Sequence, residues 1–155
     1  MKKQKSKKNL RYETVVKDIL IDDGVTDNIL DDVNNFVENV YDIIKSHDSS
    51  RAWSKRIVNS ESNSATLISQ LPGEGNRLHH HKDWNEWWFI IGGRWEVECE
   101  GKKRKVKKGD VVFIGKNKWH KITAIGNKPA LRLAVSKDKV AHIYVASIAE
   151  GIEVK

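Results

Sequence analysis

Residues 73–93 read Gly-Glu-Gly-Asn-Arg-Leu-His-His-His-Lys-Asp-Trp-Asn-Glu-Trp-Trp-Phe-Ile-Ile-Gly-Gly, and this stretch decides the fold. Alternate side chains of a β-strand share a face, so His79 and His81 point one way and His80 points the other. Glu86 follows after a short polar run, and His120 comes from a later strand-like segment. Three imidazoles and one carboxylate suit Fe(II), Mn(II), Ni(II), Co(II) or Zn(II) and leave coordination positions open. The pattern predicts a site for one divalent metal ion.

The spacing of these residues resembles the first motif of the cupin family. That motif runs Gly, five residues, His-x-His, three or four residues, Glu, six residues, Gly. This sequence satisfies every interval with Gly73, His79, His81, Glu86 and Gly93. The stretch is also similar to the cupin domain of mannose-6-phosphate isomerase-type enzymes, in which a triple histidine is followed by Glu-His-Trp. Here Glu86-Trp87-Trp88 stands in that place.

The second cupin motif is only partly present. It runs Gly, five residues, Pro-x-Gly, two residues, His, three residues, Asn. Gly109 and His120 match it, whereas Gly115 replaces the proline, Asn117 replaces the glycine and Ala124 replaces the asparagine. The metal-binding histidine of the motif is therefore retained in a sequence that otherwise departs from it.

The resemblance covers about residues 65–136 and implies a mainly β chain, folded as a double-stranded β-helix or jelly-roll barrel. It implies that His79, His81, Glu86 and His120 bind the metal, with Fe(II) favoured. Cupins with this ligand set include dioxygenases, isomerases and lyases, and dioxygenase-type chemistry on a small polar or anionic metabolite is slightly favoured. A sugar-phosphate isomerase-like enzyme and a non-catalytic metal- or ligand-binding cupin remain alternatives. Such barrels often pair, so a homodimer is expected.

The periodicity divides the chain into three parts. Residues 1–11 are expected to be a mobile basic tail, residues 12–50 a helical segment and residues 51–155 the barrel, with ten short strands between Ala52 and Ser147. Apolar residues recur at helical spacing over residues 26–46, which predicts an amphipathic helix packed on the barrel. The segment Tyr12–Ile21 is ambiguous between a strand and a short helix.

Composition narrows the location and the partners. The chain has 155 residues, one cysteine (Cys99), no segment apolar enough to span a membrane, and no secretory signal at its start, so a cytoplasmic location is expected. Residues 1–11 carry six cations. Without them, the formal charge of the chain falls from +7 to +1. A second basic run, at residues 102–108, is interpreted as a solvated hairpin rather than a phosphate-binding patch. Nucleic acid is therefore not an expected partner.

Strand alternation also suggests which side chains meet a substrate. If Glu86 points into the barrel, Trp88 and Ile90 point inward and Trp87 points outward, which makes Trp88 a candidate wall of the substrate pocket. Arg77 shares parity with His79 and is a second candidate, because a guanidinium binds carboxylates and phosphates well. The sequence leaves a surface position for Arg77 equally open.

Three further polar residues are assigned away from the site. Arg132 is considered among the residues that could face inward, but it alternates with the apolar residues of its strand, which favours the outer face of the barrel. His47 is expected at a helix end and His142 at the surface.

Overall fold

The computed structural model describes residues 10–146, and most of the predicted basic tail lies outside this range. The described chain is built mainly of strands. In chain order, the elements are β1 (Tyr12–Val15), α1 (Ile19–Asp22), β2 (Asp27–Ile29), α2 (Val40–Lys45), β3 (Trp53–Asn59), β4 (Ser64–Gln70), β5 (His79–His80), β6 (Glu86–Gly92), β7 (Arg94–Cys99), β8 (Lys102–Lys107), β9 (Val111–Ile114), β10 (His120–Ile125), β11 (Ala130–Ser136) and β12 (His142–Val145).

The strands form two six-stranded sheets. One has the order β1-β12-β5-β10-β7-β8 and the other the order β2-β3-β4-β11-β6-β9. All neighbours pair antiparallel except β2 and β3, which are parallel. Consecutive strands therefore alternate between sheets at several points, which is the topology of the predicted jelly roll.

The two sheets are joined by one apolar core. Trp88 and Ile90 of one sheet pack with Trp95 and Ile122 of the other, and all four are fully buried. The hairpin from β6 to β7 turns at Gly93, whose φ is 68° and whose missing Cβ would lie 2.6 Å from the Cα of Ala130. Glycine at this motif position therefore permits the close approach of the hairpin to β11.

The predicted helix over residues 26–46 is wrong in extent. Residues 27–29 form strand β2, and only residues 40–45 are helical. Asp32 and Asn34 adopt left-handed φ values of 53° and 62°, which a continuous α-helix does not allow. The side chain of Asn34 bonds the backbone N–H and C=O of Asn59, each at 2.8 Å, so the segment is fastened to β3. The apolar residues of the repeat therefore do not share one buried helix face, and Phe36 and Val37 are exposed.

A helix does pack on the barrel, as expected. Asn39 caps α2 by accepting hydrogen bonds from the backbone N–H groups of Tyr41 and Asp42. Ile43 packs on Trp53 and Leu67, on the outer face of the second sheet. The ambiguous segment Tyr12–Ile21 contains both β1 and α1. Within residues 10–146, no helix is long and apolar enough to cross a membrane.

Candidate metal centre

Three strands deliver the four predicted ligands to one point. Paired residues of β5 and β10 provide His79 and His120, His81 follows β5, and Glu86 begins β6. One ligand atom from each lies within 4.8 Å of the others, so the four residues, here called the metal group, can hold a metal ion. Their exposed fractions are between 0 and 9%, so the group is enclosed by protein.

Backbone carbonyls orient all three imidazoles. The Nδ1 atoms of His79, His81 and His120 lie 2.6, 3.0 and 2.7 Å from the carbonyl oxygens of Arg77, Ala141 and Lys118. Each Nδ1 must therefore carry a proton, which leaves Nε2 as the metal-binding nitrogen of each ring. The buried Nε2 atoms of His79 and His120 have no hydrogen-bond partner among the described residues. A metal ion at their meeting point would satisfy both.

Distances around Glu86 also fit one ion. Its Oε2 atom lies 3.0 Å from Nε2 of His81 and 3.4 Å from Nε2 of His120. Two ligands about 2.1 Å from a common ion, at a right angle, lie about 3.0 Å apart. The other oxygen, Oε1, accepts a 2.6 Å hydrogen bond from Nε1–H of Trp88. Trp88 therefore fixes the orientation of the carboxylate.

Ionisation of the group follows from these contacts. Burial would raise the pKa of Glu86, but the close imidazoles of His120 and His81 outweigh this effect and hold that pKa well below 4.5. Burial would lower the pKa of His81, but the hydrogen bond and charge of Glu86 outweigh it, so the pKa is raised above 6.5. Burial and the neighbouring His120 lower the pKa of His79 well below 6.5. Glu86 is therefore a carboxylate at neutral pH, and its contact with Nε2 of His81 favours the protonated form of that ring.

We expect metal binding to release a proton, because the ion replaces the Nε2 proton that the contact with Glu86 favours on His81. Apparent metal affinity should fall as the pH falls through the raised pKa of His81. Calorimetric titration of Co(II) or Zn(II) in buffers of different ionisation heat measures the released protons. Glu86→Gln is the control, since it removes the charge that holds the proton and should reduce the release. Heats that do not depend on the buffer in the wild-type protein would contradict the expectation.

A cavity of about 440 Å³ leads to the metal group. Its inner end is lined by Glu86 and His142, while the three ligand histidines do not line it. Its walls come from the segment around α1, from β4 and β11, and from the loop before β12. A small ligand in this cavity would approach the metal group from the side of Glu86.

The sequence and structure both have relatives. Residues 66–136 match the family model described as "Cupin domain". Residues 66–136, which run from β4 to β11 and include the metal group, are therefore a cupin domain. An uncharacterised protein of Methanocaldococcus jannaschii is 36% identical over 70 residues, which are 45% of this chain and 56% of that protein. The match thus spans little more than half of that curated relative.

Solved cupin structures share the fold at low identity. A Klebsiella pneumoniae protein with a double-stranded β-helix domain gives a TM-score of 0.60 at 16% identity, covering 74% of this chain and 94% of the other. A cupin 2 conserved barrel domain protein from Salinispora arenicola gives 0.53 at 22% identity, covering 68% and 91%. At these identities the likeness shows the fold alone.

The degraded second cupin motif keeps its backbone geometry. Asn117, which replaces the motif glycine, has a φ of 65°, and asparagine tolerates this left-handed region better than most residues. Its backbone N–H donates a 2.6 Å hydrogen bond to the carbonyl of His81. Ala124, which replaces the motif asparagine, lies in the apolar core. The turn before His120 is therefore built without the usual proline and glycine.

The two predicted substrate contacts lie outside the lining of the cavity. Trp88 points inward, as alternation predicted, but it is fully buried in the core and meets the metal group through Glu86. The half-exposed Arg77 donates a 3.1 Å hydrogen bond to Asp23, and its guanidinium lies 4.1 Å from the ring centroid of Tyr144. Burial raises the pKa of Asp23, and Arg77 only partly offsets this effect.

Arg132 was expected outside the barrel but lies inside it. Its side chain is buried against the rings of Trp88 and Trp95, with distances of 5.8 and 4.7 Å to their centroids. One terminal nitrogen donates a 2.6 Å hydrogen bond to Oε1 of Gln70. Burial lowers the pKa of Arg132 to about 10, which still leaves it charged at neutral pH.

We expect Gln70→Leu to destabilise the fold by about 1–3 kcal/mol, because it leaves the buried guanidinium without this acceptor. Arg132→Met in the same chain should recover part of that loss, with a coupling of at least about 0.5 kcal/mol, because both polar partners are then gone. Urea unfolding of the two single variants and the double variant measures the coupling. Additive losses would mean that the hydrogen bond does not contribute.

Of the three remaining histidines, His47 and His80 lie where the sequence predicted them and His142 does not. His47 ends α2, as predicted, with Nδ1 2.8 Å from the carbonyl of Ile43, and His80 points away from the metal group and packs on Trp119. His142 is not the surface residue that was predicted. Its ring centroid lies 4.5 Å from that of His79 and 4.3 Å from that of His81. Sequence periodicity gave no signal for this position, because it arises from the pairing of β12 with β5.

Proposed function

We propose that this cupin is a mononuclear metal-dependent enzyme that acts on a small polar or anionic metabolite. Four converging donors at the end of a cavity are the observation that carries the proposal. Fe(II) is the favoured ion and dioxygenase-type chemistry the favoured reaction class, because a three-nitrogen, one-oxygen set with open positions suits both. When bound, the ion would supply a Lewis acid for substrate oxygens or a centre for oxygen activation.

The protein contributes orientation and enclosure. Backbone carbonyls hold the three imidazoles, and Trp88 holds the Glu86 carboxylate, so the ligands need little rearrangement to receive the ion. Glu86 is the member of the metal group that lines the cavity, and His142 lines it too, so a substrate in the cavity would reach the group from that side.

Charge at the cavity wall supports an anionic substrate. Lys17, Lys137 and Lys139 line it, and none forms a salt bridge with a described carboxylate. Arg56 also lines it but is neutralised by Asp138, 2.8 Å away. Together with a divalent ion, the lysines favour carboxylates or phosphates. The predicted contact of Arg77 with a substrate requires its side chain to release Asp23.

Carbohydrate chemistry is the second candidate. The cavity wall also presents the hydroxyl side chains of Ser64, Thr66 and Ser136 and the amide of Asn28. Such groups hydrogen-bond polyols, and with the lysines they suit a sugar phosphate. An isomerase-like activity would use the ion to polarise a carbonyl and a hydroxyl of the same substrate. A cupin that binds ligand without turnover is the third outcome.

We also propose a homodimer in the cytoplasm. The outer face of β6 and β9 exposes two cross-strand pairs, Trp87 with Phe113 and Phe89 with Val111. Strand β9 is the last strand of its sheet, so a second copy could cover this apolar face and continue the sheet. The single cysteine, Cys99, is free, which suits a reducing compartment.

Phe113→Glu is expected to raise the dimer dissociation constant at least about tenfold, because it places a charge in the apolar contact. Light scattering across a concentration series measures the mass. Phe36→Glu is the matched control, since Phe36 is fully exposed elsewhere. Equal dimerisation of both variants would exclude this face, and a monomeric wild-type protein would exclude the dimer.

Metal analysis and two assays test the function. The protein is purified without added metal, analysed for bound metals, reloaded anaerobically with Fe(II), and assayed for oxygen uptake with a panel of small carboxylates, diketones and phenols. A parallel panel of aldose and ketose phosphates is followed for isomerisation. Activity in the first panel that His81→Ala abolishes supports the dioxygenase, and activity in the second supports the alternative. Stoichiometric metal and ligand binding without turnover would leave a binding protein. Failure to bind metal even after reloading would overturn both enzyme proposals.

A further inference from the structure

His142 shares the inner end of the cavity with Glu86, although it is not one of the four metal ligands. It lies on β12, which pairs with β5 through Tyr144 and His79. Its ring stacks on His79 at an interplanar angle of 26° and meets His81 edge-on at 88°. A ligand in the cavity that reaches Glu86 therefore meets a wall that includes His142.

The ring nitrogens of His142 have different surroundings. Nδ1 lies 3.0 Å from the carbonyl oxygen of Val140, so Nδ1 carries the proton and donates it there. No described residue hydrogen-bonds Nε2, whose lone pair remains available at the cavity. The same arrangement turns Nε2 of the ligand histidines toward the metal group. At His142 the same arrangement makes Nε2 a fixed hydrogen-bond acceptor for a ligand in the cavity that this residue lines.

The hydrogen bond from Nδ1–H to Val140 decides what His142 can do at the cavity. A neutral ring with its proton on Nδ1 can accept a hydrogen bond at Nε2 but cannot donate one there.

We propose that His142 is a specificity-determining residue that accepts a hydrogen bond from a hydroxyl or amino group of the anion bound at the metal. The selected ligands are small acids with a donor next to the metal-binding group, such as 2-hydroxy acids, 2-amino acids or polyol phosphates. Anions of equal size and charge that lack the donor leave Nε2 unpaired and bind more weakly. This inference rests on the proposed metal-dependent function and names its substrate class.

Co(II)-loaded protein tests the inference through its visible absorption, without any turnover. Glycolate and methoxyacetate are the two probes, because methylation removes the donor and keeps the carboxylate and the ether oxygen. We expect the wild-type protein to bind glycolate about tenfold more tightly, the value of one hydrogen bond to a buried acceptor. His142→Phe should abolish this preference while retaining cobalt stoichiometry and methoxyacetate affinity, because phenylalanine keeps the ring packing. His142→Gln should restore part of the preference, because its amide oxygen is again an acceptor.

The alternative outcomes separate the two proposals. A wild-type protein without the preference, or a His142→Phe variant that retains it, overturns the role of His142 and leaves the metal centre intact. Failure of the wild-type protein to bind cobalt overturns the proposed function, and the inference falls with it. If the Phe variant loses its fold or its cobalt, the Gln variant decides. A folded, cobalt-loaded His142→Gln protein with no preference for glycolate contradicts the acceptor role of His142.

Discussion

Replacing His81 or His120 by alanine is expected to reduce the bound metal from about one ion per chain to below about a tenth after dialysis. Loss of an outer hydrogen bond to a ligand already costs about 10–100-fold in metal affinity, and loss of a ligand costs more. Each variant also leaves Glu86 with fewer of its imidazole partners. Metal analysis after purification and a Co(II) titration measure the effect.

His80→Ala is the matched control for this experiment. It removes a neighbouring imidazole of the same triple-histidine stretch, but from the opposite face of the strand, where the ring packs on Trp119. We expect it to keep its metal. The circular dichroism of every variant should stay that of a β-protein, like that of the metal-free wild type. Full metal content in both His81→Ala and His120→Ala would show that the metal group is structural.

The strands and the metal group could be predicted because both depend on local spacing. The period of two persists from β3 to β12, and each of the ten predicted strands has a counterpart in the structure. The His-x-His pair needs only strand alternation to share a face, and the pairing of His79 with His120 brings the later histidine beside it. His120 joins the metal group despite the departures in the second motif, and Asn117 takes a left-handed φ in the turn before it.

Long-range packing explains what the sequence did not reveal. Arg132 alternates with Leu131 and Leu133, and apolar parity placed those leucines in the core. They do face an apolar layer, but it is the outer one covered by α2, because this part of the sheet is packed on both faces. Arg132 therefore lies on the inner face of the sheet. A period of two identifies the two faces of a strand without saying which one faces the interior.

Helical periodicity failed at residues 26–46 for a related reason. Apolar residues at a spacing of three and four suit a helix only if one surface covers them all. Here Ile43 is buried against the outer face of the sheet, while Phe36 and Val37 are exposed. Asp32 and Asn34 take left-handed conformations, and Asn34 exchanges hydrogen bonds with β3 that a helix would forbid.

Trp88→Ala is expected to cost about 3–5 kcal/mol of unfolding free energy, the range for a buried large aromatic. Trp88 is fully buried in the core that joins the two sheets. Trp87, one residue earlier, is 39% exposed on the opposite face, so Trp87→Ala should cost less than about 1 kcal/mol in the monomer. Urea unfolding of the metal-free proteins measures both, and equal losses would contradict the assignment of the two faces.

Phenylalanine variants separate the packing role of Trp88 from its role at the metal group. Trp88→Phe keeps most of the ring but removes the 2.6 Å hydrogen bond that orients Glu86, so metal affinity should fall about 10–100-fold. Trp95→Phe is the control, because Trp95 is equally buried in the same core and its Nε1–H has no described partner. Similar stability losses with a metal defect only in Trp88→Phe would establish that Trp88 acts through Glu86. Equal metal affinity of the two variants would mean that Glu86 is held by the histidines and the ion alone, and that Trp88 contributes packing without positioning.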